Sequence, residues 1–141
     1  MGDPASIHEL NDILATPKRV AVLGAVAKPH RASFYVPEYL QEQGWEVVGV
    51  NPRHAGEPWL GSTILASLEE AGPVDVIDVF RRSDALPDHQ AELLTAGAPV
   101  VWFQLGIRND AVAGALREGG IRVVQDRCML ADHRALIGAR R

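Results

Sequence analysis

The chain contains, close to its start, the sequence Arg19-Val20-Ala21-Val22-Leu23-Gly24. This is a short apolar run, rich in valine and ended by a glycine, as is typical of a strand buried on both faces of a parallel sheet. Four further runs of the same kind follow at residues 45–50, 74–79, 98–103 and 121–124. The sequence therefore predicts five parallel strands.

Segments with helical spacing separate these runs. A capping box formed by Ser6 and Glu9 predicts a leading helix over residues 6–15, which ends before Pro17. Later helices are predicted over residues 33–43, 83–95 and 109–118, with a short helical turn near 66–70. The helix over 33–43 is expected to place Tyr35 on the same side as Tyr39 and Leu40.

Alternating strands and helices predict one α/β domain, a Rossmann-like, doubly wound parallel sheet of five strands with helices on both faces. Right-handed crossovers then favour the strand order 3-2-1-4-5, in which residues 74–79 are the third strand. We expect the domain to span residues 1–141, with its core at about 19–134.

Composition and charge exclude several classes of protein. A chain of 141 residues has room for one domain with its own core, and its formal net charge of −4 excludes a generally basic nucleic-acid-binding protein. No apolar run reaches the roughly 18 residues that cross a membrane. The single cysteine indicates a reducing, cytoplasmic setting, and the five histidines lack metal-ligand spacing. We expect a cytoplasmic protein that binds neither nucleic acid, membrane nor metal.

Four loops follow the carboxyl ends of the predicted strands, where sheets of this kind bind ligands. They comprise residues 24–32, 51–56, 80–83 and 104–108, and contain six of the 14 Lys and Arg but none of the 18 Asp and Glu. An acidic chain that gathers positive charge at its binding edge predicts an anionic ligand. Gly24 permits a tight turn, and a helix that begins at Ser33 or Phe34 offers free amides to a phosphate. A turn that binds nothing is the alternative.

The end of the second strand distinguishes between nucleotides. NAD-binding sheets place an Asp or Glu there, but this chain has Val50-Asn51-Pro52-Arg53. An arginine favours a phosphorylated ribose, as in NADP or coenzyme A (CoA), unless Arg53 is merely a solvated turn residue. The three-glycine dinucleotide fingerprint and the Walker phosphate loop are both absent.

The chain resembles the family of small stand-alone CoA-binding proteins, whose fold matches the CoA-binding amino-terminal domain of the succinyl-CoA synthetase α subunit. The resemblance covers roughly residues 19–134. Five motifs carry it, in this order: Val20-Ala21-Val22-Leu23-Gly24-Ala25, Val50-Asn51-Pro52, Asp75-Val76-Ile77-Asp78-Val79-Phe80-Arg81, Val101-Trp102-Phe103-Gln104-Leu105-Gly106 and Asp126-Arg127-Cys128. One departure is Val26, where the family often has a small hydroxyl residue that could bond a phosphate.

The resemblance implies that the chain binds CoA or an acyl-CoA at the carboxyl edge of the sheet, without catalysis. It implies that the CoA diphosphate contacts Gly24, Ala25, Val26, Ala27 and Lys28, with Arg31 and Ser33 nearby. It also implies an adenosine phosphate end at Asn51, Pro52 and Arg53, a nucleotide bounded by Phe80 and Arg81, and a pantetheine side at Gln104 and Gly106. Gln104 could equally satisfy loop amides instead of a ligand.

Two other functions stay open on the sequence, an NADP-dependent reductase and a protein-interaction module without a ligand. The sequence predicts no catalytic residue and names no protein partner. Cys128 is expected to be structural, although Arg127 beside it could make its thiol reactive. Asp78, near the end of a buried strand, is expected to orient a loop, and pairing with Arg81 is the alternative.

Overall fold

The computed structural model describes residues 5–138, so both ends of the predicted domain lie outside the described residues. The helices are α1 (Ile7–Leu14), α2 (Ala32–Glu42), α3 (Leu68–Ala71), α4 (Leu86–Ala96), α5 (Asp110–Glu118) and α6 (Met129–Leu136). The strands are β1 (Arg19–Leu23), β2 (Glu46–Val50), β3 (Pro58–Trp59), β4 (Ser62–Thr63), β5 (Val76–Val79), β6 (Val100–Phe103) and β7 (Arg122–Val124). Short 3-10 turns occur at Pro52–His54 and Ser83–Ala85.

Five of these strands form one parallel sheet in the order β2-β1-β5-β6-β7. The predicted α/β fold class is therefore confirmed. The predicted leading helix is also present, since the Glu9 amide donates to Ser6 Oγ at 3.1 Å. Strands β3 and β4 pair separately as a small antiparallel hairpin.

The strand that the sequence predicts as third, at residues 74–79, does not lie beyond the second strand. Strand β5 pairs with β1, with Ala21 opposite Ile77, and does not pair with β2. The place beyond β2 is taken by one residue, Leu65, in a parallel bridge with Val50. With Leu65 counted as third, the sheet keeps the 3-2-1-4-5 order and β7 follows it. Assigning residues 74–79 to the third place was wrong, because a one-residue bridge leaves no apolar run in the sequence.

Two apolar clusters cover the two faces of the sheet. Alternate residues of each inner strand point to opposite faces, so Ile77 and Val101 join one cluster while Val76 and Trp102 join the other. Side chains of α3, α4 and α5 complete the first cluster, and those of α1, α2 and α6 complete the second. This packing holds the strand ends, and the loops that leave them, in fixed positions. Within residues 5–138, no helix is long and apolar enough to cross a membrane.

Candidate functional site

A cleft of about 680 Å³ opens at the carboxyl edge of the sheet, between the loops that follow β1, β2, β5 and β6. The residue directly after each of these strands lines it: Gly24, Asn51, Phe80 and Gln104. Its volume lies within the range of roughly 300–1,000 Å³ that is usual for small-molecule sites. The cleft also lies where β1 and β5 send the chain in opposite directions, the place at which such sheets bind ligands.

Gly24 allows the ends of β1 and β5 to approach each other closely. Its φ is +99°, and a Cβ atom there would lie 2.6 Å from the carbonyl oxygen of Phe80. Its amide also donates to the Val50 carbonyl at 2.8 Å, which joins the turn to the end of β2. A side chain at this position would meet backbone, so the turn requires a glycine.

The start of α2 faces the cleft with its amides uncapped. Arg31 is the N-cap residue, and it makes no side-chain hydrogen bond to the helix. Ala32 and Ser33, the first two residues of α2, line the cleft. The helix begins at Ala32, one residue before the predicted start. Free amides and the positive end of the helix dipole form a site that suits a phosphate.

The charge of the cleft is positive. Its lining includes Arg31, Arg53, Arg81 and Arg82 and no Asp or Glu. Within residues 5–138, neither Arg31 nor Arg53 forms an ion pair, so their charge is available to a ligand.

Three other loop cations, Lys28, Arg82 and Arg108, give the cleft less positive charge than the sequence predicted. Arg82 pairs with Asp84 at 3.2 Å, and Arg108 pairs with Asp110 at 3.1 Å. Both carboxylates lie just outside the loop windows in the sequence. Arg108 and Lys28 do not line the cleft, so four of the six predicted cations do.

Asn51 connects the first two loops. Its Nδ2 donates to the Ala25 carbonyl at 3.0 Å, and its Oδ1 accepts the Arg53 amide at 3.0 Å. The side chain is buried, with 4% of its surface exposed. Asn51 therefore fixes the loop that carries Arg53, and its polar atoms are already used within the protein.

Ten of the fourteen predicted site residues line the cleft: Gly24, Val26, Arg31, Ser33, Asn51, Arg53, Phe80, Arg81, Gln104 and Gly106. The other four, Ala25, Ala27, Lys28 and Pro52, do not. Ala25 is buried beside Trp59 in a small apolar cluster, and Lys28 is exposed on the outer part of its loop. Pro52 instead borders a small cavity behind Gly24.

Gln104 lies in the floor of the cleft and is paired with Asp78. When its amide nitrogen is turned toward the carboxyl group, it donates to Asp78 Oδ1 at 3.0 Å. In the reverse orientation, the amide oxygen can accept the proton of a neutral carboxyl group. Asp78 therefore orients a loop residue, as expected, but its partner is Gln104 and not Arg81.

Burial raises the pKa of Asp78 well above the ordinary value of an aspartate. Its side chain is completely inaccessible, and the charged form loses its hydration there. The folded protein therefore retains a proton on this group at pH values where the unfolded chain has released it.

We expect the Asp78→Asn variant to become more stable relative to the wild type as the pH rises. A raised folded pKa makes the wild type lose stability above the ordinary carboxyl pKa of about 3.9, by about 1.4 kcal/mol per pH unit while the folded group keeps its proton. Urea unfolding from pH 4 to pH 8 measures the difference. Asp88→Asn, at an exposed position on α4, is the control and should show no such trend. If the free energies of unfolding of Asp78→Asn and the wild type differed by the same amount at every pH, the raised pKa would be contradicted.

Eight further residues line the cleft. Six of them lie in the four predicted loops without having been singled out as cofactor-binding residues: Ala32, His54, Arg82, Ser83, Leu105 and Ile107. Tyr35 and Cys128 lie outside those loops. Tyr35 was expected to share the side of Tyr39 and Leu40, but those two are buried while Tyr35 is 44% exposed at the cleft. Leu105 is 67% exposed. For Leu105, the sequence offered one signal of a place at the cleft, namely that this apolar residue directly follows the polar Gln104.

The late motif brings Cys128 to the cleft. Asp126, with φ +56°, accepts the Gly106 amide on Oδ1 at 2.6 Å, and its own amide donates to the Ile107 carbonyl at 3.1 Å. These bonds tie the loop after β7 to the loop after β6. As a result, half-buried Cys128 lines the cleft directly before α6 begins.

The fold and the site together define a Rossmann-like domain with a positively charged cleft at the switch point of its sheet. Residues 18–134 match the model of a family described as a CoA binding domain. The chain therefore belongs to this family of CoA-binding domains, and the resemblance seen in the sequence is confirmed.

Similar proteins cover nearly the whole chain. YneT of Bacillus subtilis, an uncharacterised protein, is 39% identical over 126 residues, 89% of this chain and 92% of YneT. The structure of cell-free ID.343 from Thermus thermophilus is 46% identical with a TM-score of 0.89, and covers 94% of this chain and 99% of that one. A hypothetical protein from Pyrococcus horikoshii is 31% identical with a TM-score of 0.87, and covers 98% and 99% of the two chains.

Proposed function

We propose that this protein binds CoA or a short acyl-CoA in the cleft and acts as a cytoplasmic, non-catalytic CoA-binding domain. The observation that carries the proposal is the lining of the cleft, which has four arginines and no carboxylate in a member of a CoA-binding family. CoA has a diphosphate and a 3′-phosphate, and so requires several cations at one edge. Such a ligand also explains why an acidic chain keeps these arginines together.

The diphosphate fits the turn at Gly24 and the start of α2. The amides of Ala32 and Ser33, which make no hydrogen bond within residues 5–138, are donors, and Arg31 supplies the charge. Val26 has no hydroxyl group, but Ser33 offers one at the helix start, where it is buried and lines the cleft. Ser33 therefore provides a hydroxyl donor that Val26 lacks.

The two other parts of CoA fit different ends of the cleft. Arg53 follows β2, where an NAD-binding sheet would have an acid, and suits the phosphorylated ribose. The pantetheine arm has amides and a methyl-bearing chain. It suits the side formed by Gln104, Leu105 and Ile107, which offers exposed apolar surface beside polar backbone.

The proposal of a non-catalytic role rests on the side chains of the cleft. Ser33, Ser83 and Cys128 are its nucleophilic candidates, and His54 is its basic candidate. The Ser83 hydroxyl accepts the Arg108 amide at 2.9 Å, and no hydrogen bond joins Ser33 or Cys128 to His54 within residues 5–138. His54 is paired with Glu57 at 2.7 Å instead of with the thiol. The lining within residues 5–138 thus has no nucleophile that is hydrogen-bonded to a base.

Isothermal titration calorimetry tests the ligand. We expect CoA to bind with a Kd of about 1 µM or tighter, and dephospho-CoA about 10-fold or more weakly, because Arg53 would lose a phosphate partner. NADPH, NAD and ATP are each titrated separately, so that their affinities can be compared with that of CoA. CoA binding no tighter than about 1 mM, with another nucleotide binding tightly, would overturn the proposal.

An NADP-dependent reductase remains the second candidate, because the absence of an acid after β2 suits the 2′-phosphate of NADP as well. The NADPH titration separates the two functions. Tight NADPH binding together with weak CoA binding would favour the reductase.

A further inference from the structure

Two residues outside the cleft hold one of its arginines. Arg81 Nε donates to His89 Nε2 at 3.3 Å, and the Nδ1 of His89 donates in turn to Glu92. We propose that His89 and Glu92 are positioning residues that hold the Arg81 guanidinium toward an anionic ligand without neutralising it. The inference rests on the proposed function, because it assigns a device that serves the same site.

The arrangement follows from how α4 packs against the end of β5. His89 and Glu92 are three residues apart and therefore share one side of α4. They border a cavity of about 60 Å³ behind Gly24, which Arg81 also borders. Arg81 lines the main cleft as well. The guanidinium group therefore lies between the ligand cleft on one side and the His89–Glu92 pair, here called the relay, on the other.

The relay uses only a small part of the guanidinium group. An arginine side chain has five N–H donors, of which His89 accepts the one on Nε. The four donors on Nη1 and Nη2 remain, and they are the pair of groups that binds phosphate oxygens in two-point contacts. His89 thus fixes the direction of the side chain and leaves its phosphate-binding edge unused.

The Glu92 carboxylate decides which nitrogen of His89 can accept. A neutral imidazole has one N–H donor and one acceptor, and a carboxylate at Nδ1 keeps the proton there. Nε2 is then left as the acceptor for Arg81. A carboxylate behind a histidine fixes the ring in this way at many metal and catalytic sites.

The contrast with other arginines shows what is unusual about Arg81. Direct carboxylate partners occur at Arg82, Arg108 and Arg127, which pair with Asp84, Asp110 and Asp132. Within residues 5–138, Arg81 has no carboxylate within ion-pair distance, and the side chain that it bonds is that of His89. A neutral partner orients a cation without cancelling its charge, which is what an anion-binding site requires.

A double-mutant cycle on the full chain, read by CoA titration, tests the relay. We expect His89→Leu to weaken CoA binding about 5-fold, the effect of one hydrogen bond, and Glu92→Gln to weaken it less. In an Arg81→Ala background, His89→Leu should have no further effect, because His89 acts through Arg81. Gln90→Leu, on the same helix, is the matched control and should leave the Kd unchanged.

Additive effects of Arg81→Ala and His89→Leu would overturn the relay while leaving CoA binding itself intact. Absence of CoA binding in the wild type would instead overturn the proposed function. A ligand-independent measurement, the ring ¹⁵N chemical shifts of His89, reads the relay in either case. We expect the Nδ1–H tautomer in the free protein, with a shift of Nε2 in Arg81→Ala. A His89 ring that carries its proton on Nε2 would contradict the relay.

Discussion

Replacing Gly24 by alanine is expected to destabilise the protein by about 3–5 kcal/mol and to abolish ligand binding. The added Cβ would lie 2.6 Å from the Phe80 carbonyl oxygen, and the residue would have to keep a φ of +99°. The contact is with backbone, so no side-chain rotation can relieve it. The Phe80 amide donates to the Leu23 carbonyl at 2.8 Å, so relief would require the ends of β1 and β5 to separate.

The steric clash and the backbone strain that an alanine would introduce at Gly24 can be distinguished experimentally. Gly56 has a φ of +89° with nothing within 4 Å of a built Cβ, so Gly56→Ala carries the backbone strain without the clash. Urea unfolding followed by circular dichroism should show a much smaller loss for Gly56→Ala, of about 1–3 kcal/mol. Equal losses for the two variants would contradict the close approach of the two strand ends.

Replacing Arg53 and Arg81 together by alanine is expected to weaken CoA binding by at least about 100-fold. A hydrogen bond to a charged group contributes about 1.5–3 kcal/mol, and both residues line the cleft. The fold should be retained, because Arg53 has no ion pair within residues 5–138 and the variant loses only one side-chain hydrogen bond of Arg81, the one to His89. Calorimetry measures the affinity, and unfolding in urea confirms the unchanged stability.

The salt dependence of binding provides a second readout for these arginines. Removing two cations should make the Kd of CoA less sensitive to ionic strength, because fewer charges are screened. Arg122→Ala is the control, since Arg122 starts β7 at the opposite edge of the sheet and pairs with Asp12 at 2.9 Å. Wild-type affinity for CoA in the double variant would contradict the anion-binding role of these two arginines.

The sequence predicted those parts of the fold that depend on local patterns. The strands were recognisable because each is a short apolar run, and Gly24 because it ends the first of them. The bridge at Leu65 was not, because a single residue between a hairpin and a short helix has no periodicity. The strand ends alone therefore indicated which loops meet, without showing which strand lies at the sheet's third position.

The same limit applies within the candidate site. Residues directly after a strand, such as Phe80 and Gln104, could be placed at the cleft because the chain direction fixes them. Tyr35 could not, because its orientation depends on how α2 is rotated against the sheet. Nor could the pairing of Arg82 and Arg108 with nearby aspartates, or that of Arg81 with His89, since these depend on side-chain conformation.

A crystal structure of the protein with bound CoA would show where the three phosphates lie. We expect the diphosphate oxygens to accept hydrogen bonds from the amides at the start of α2, with Arg31 beside them and the 3′-phosphate at Arg53. Phosphates bound on another face of the sheet, or a CoA molecule that leaves the arginines of the cleft without contact, would contradict this prediction.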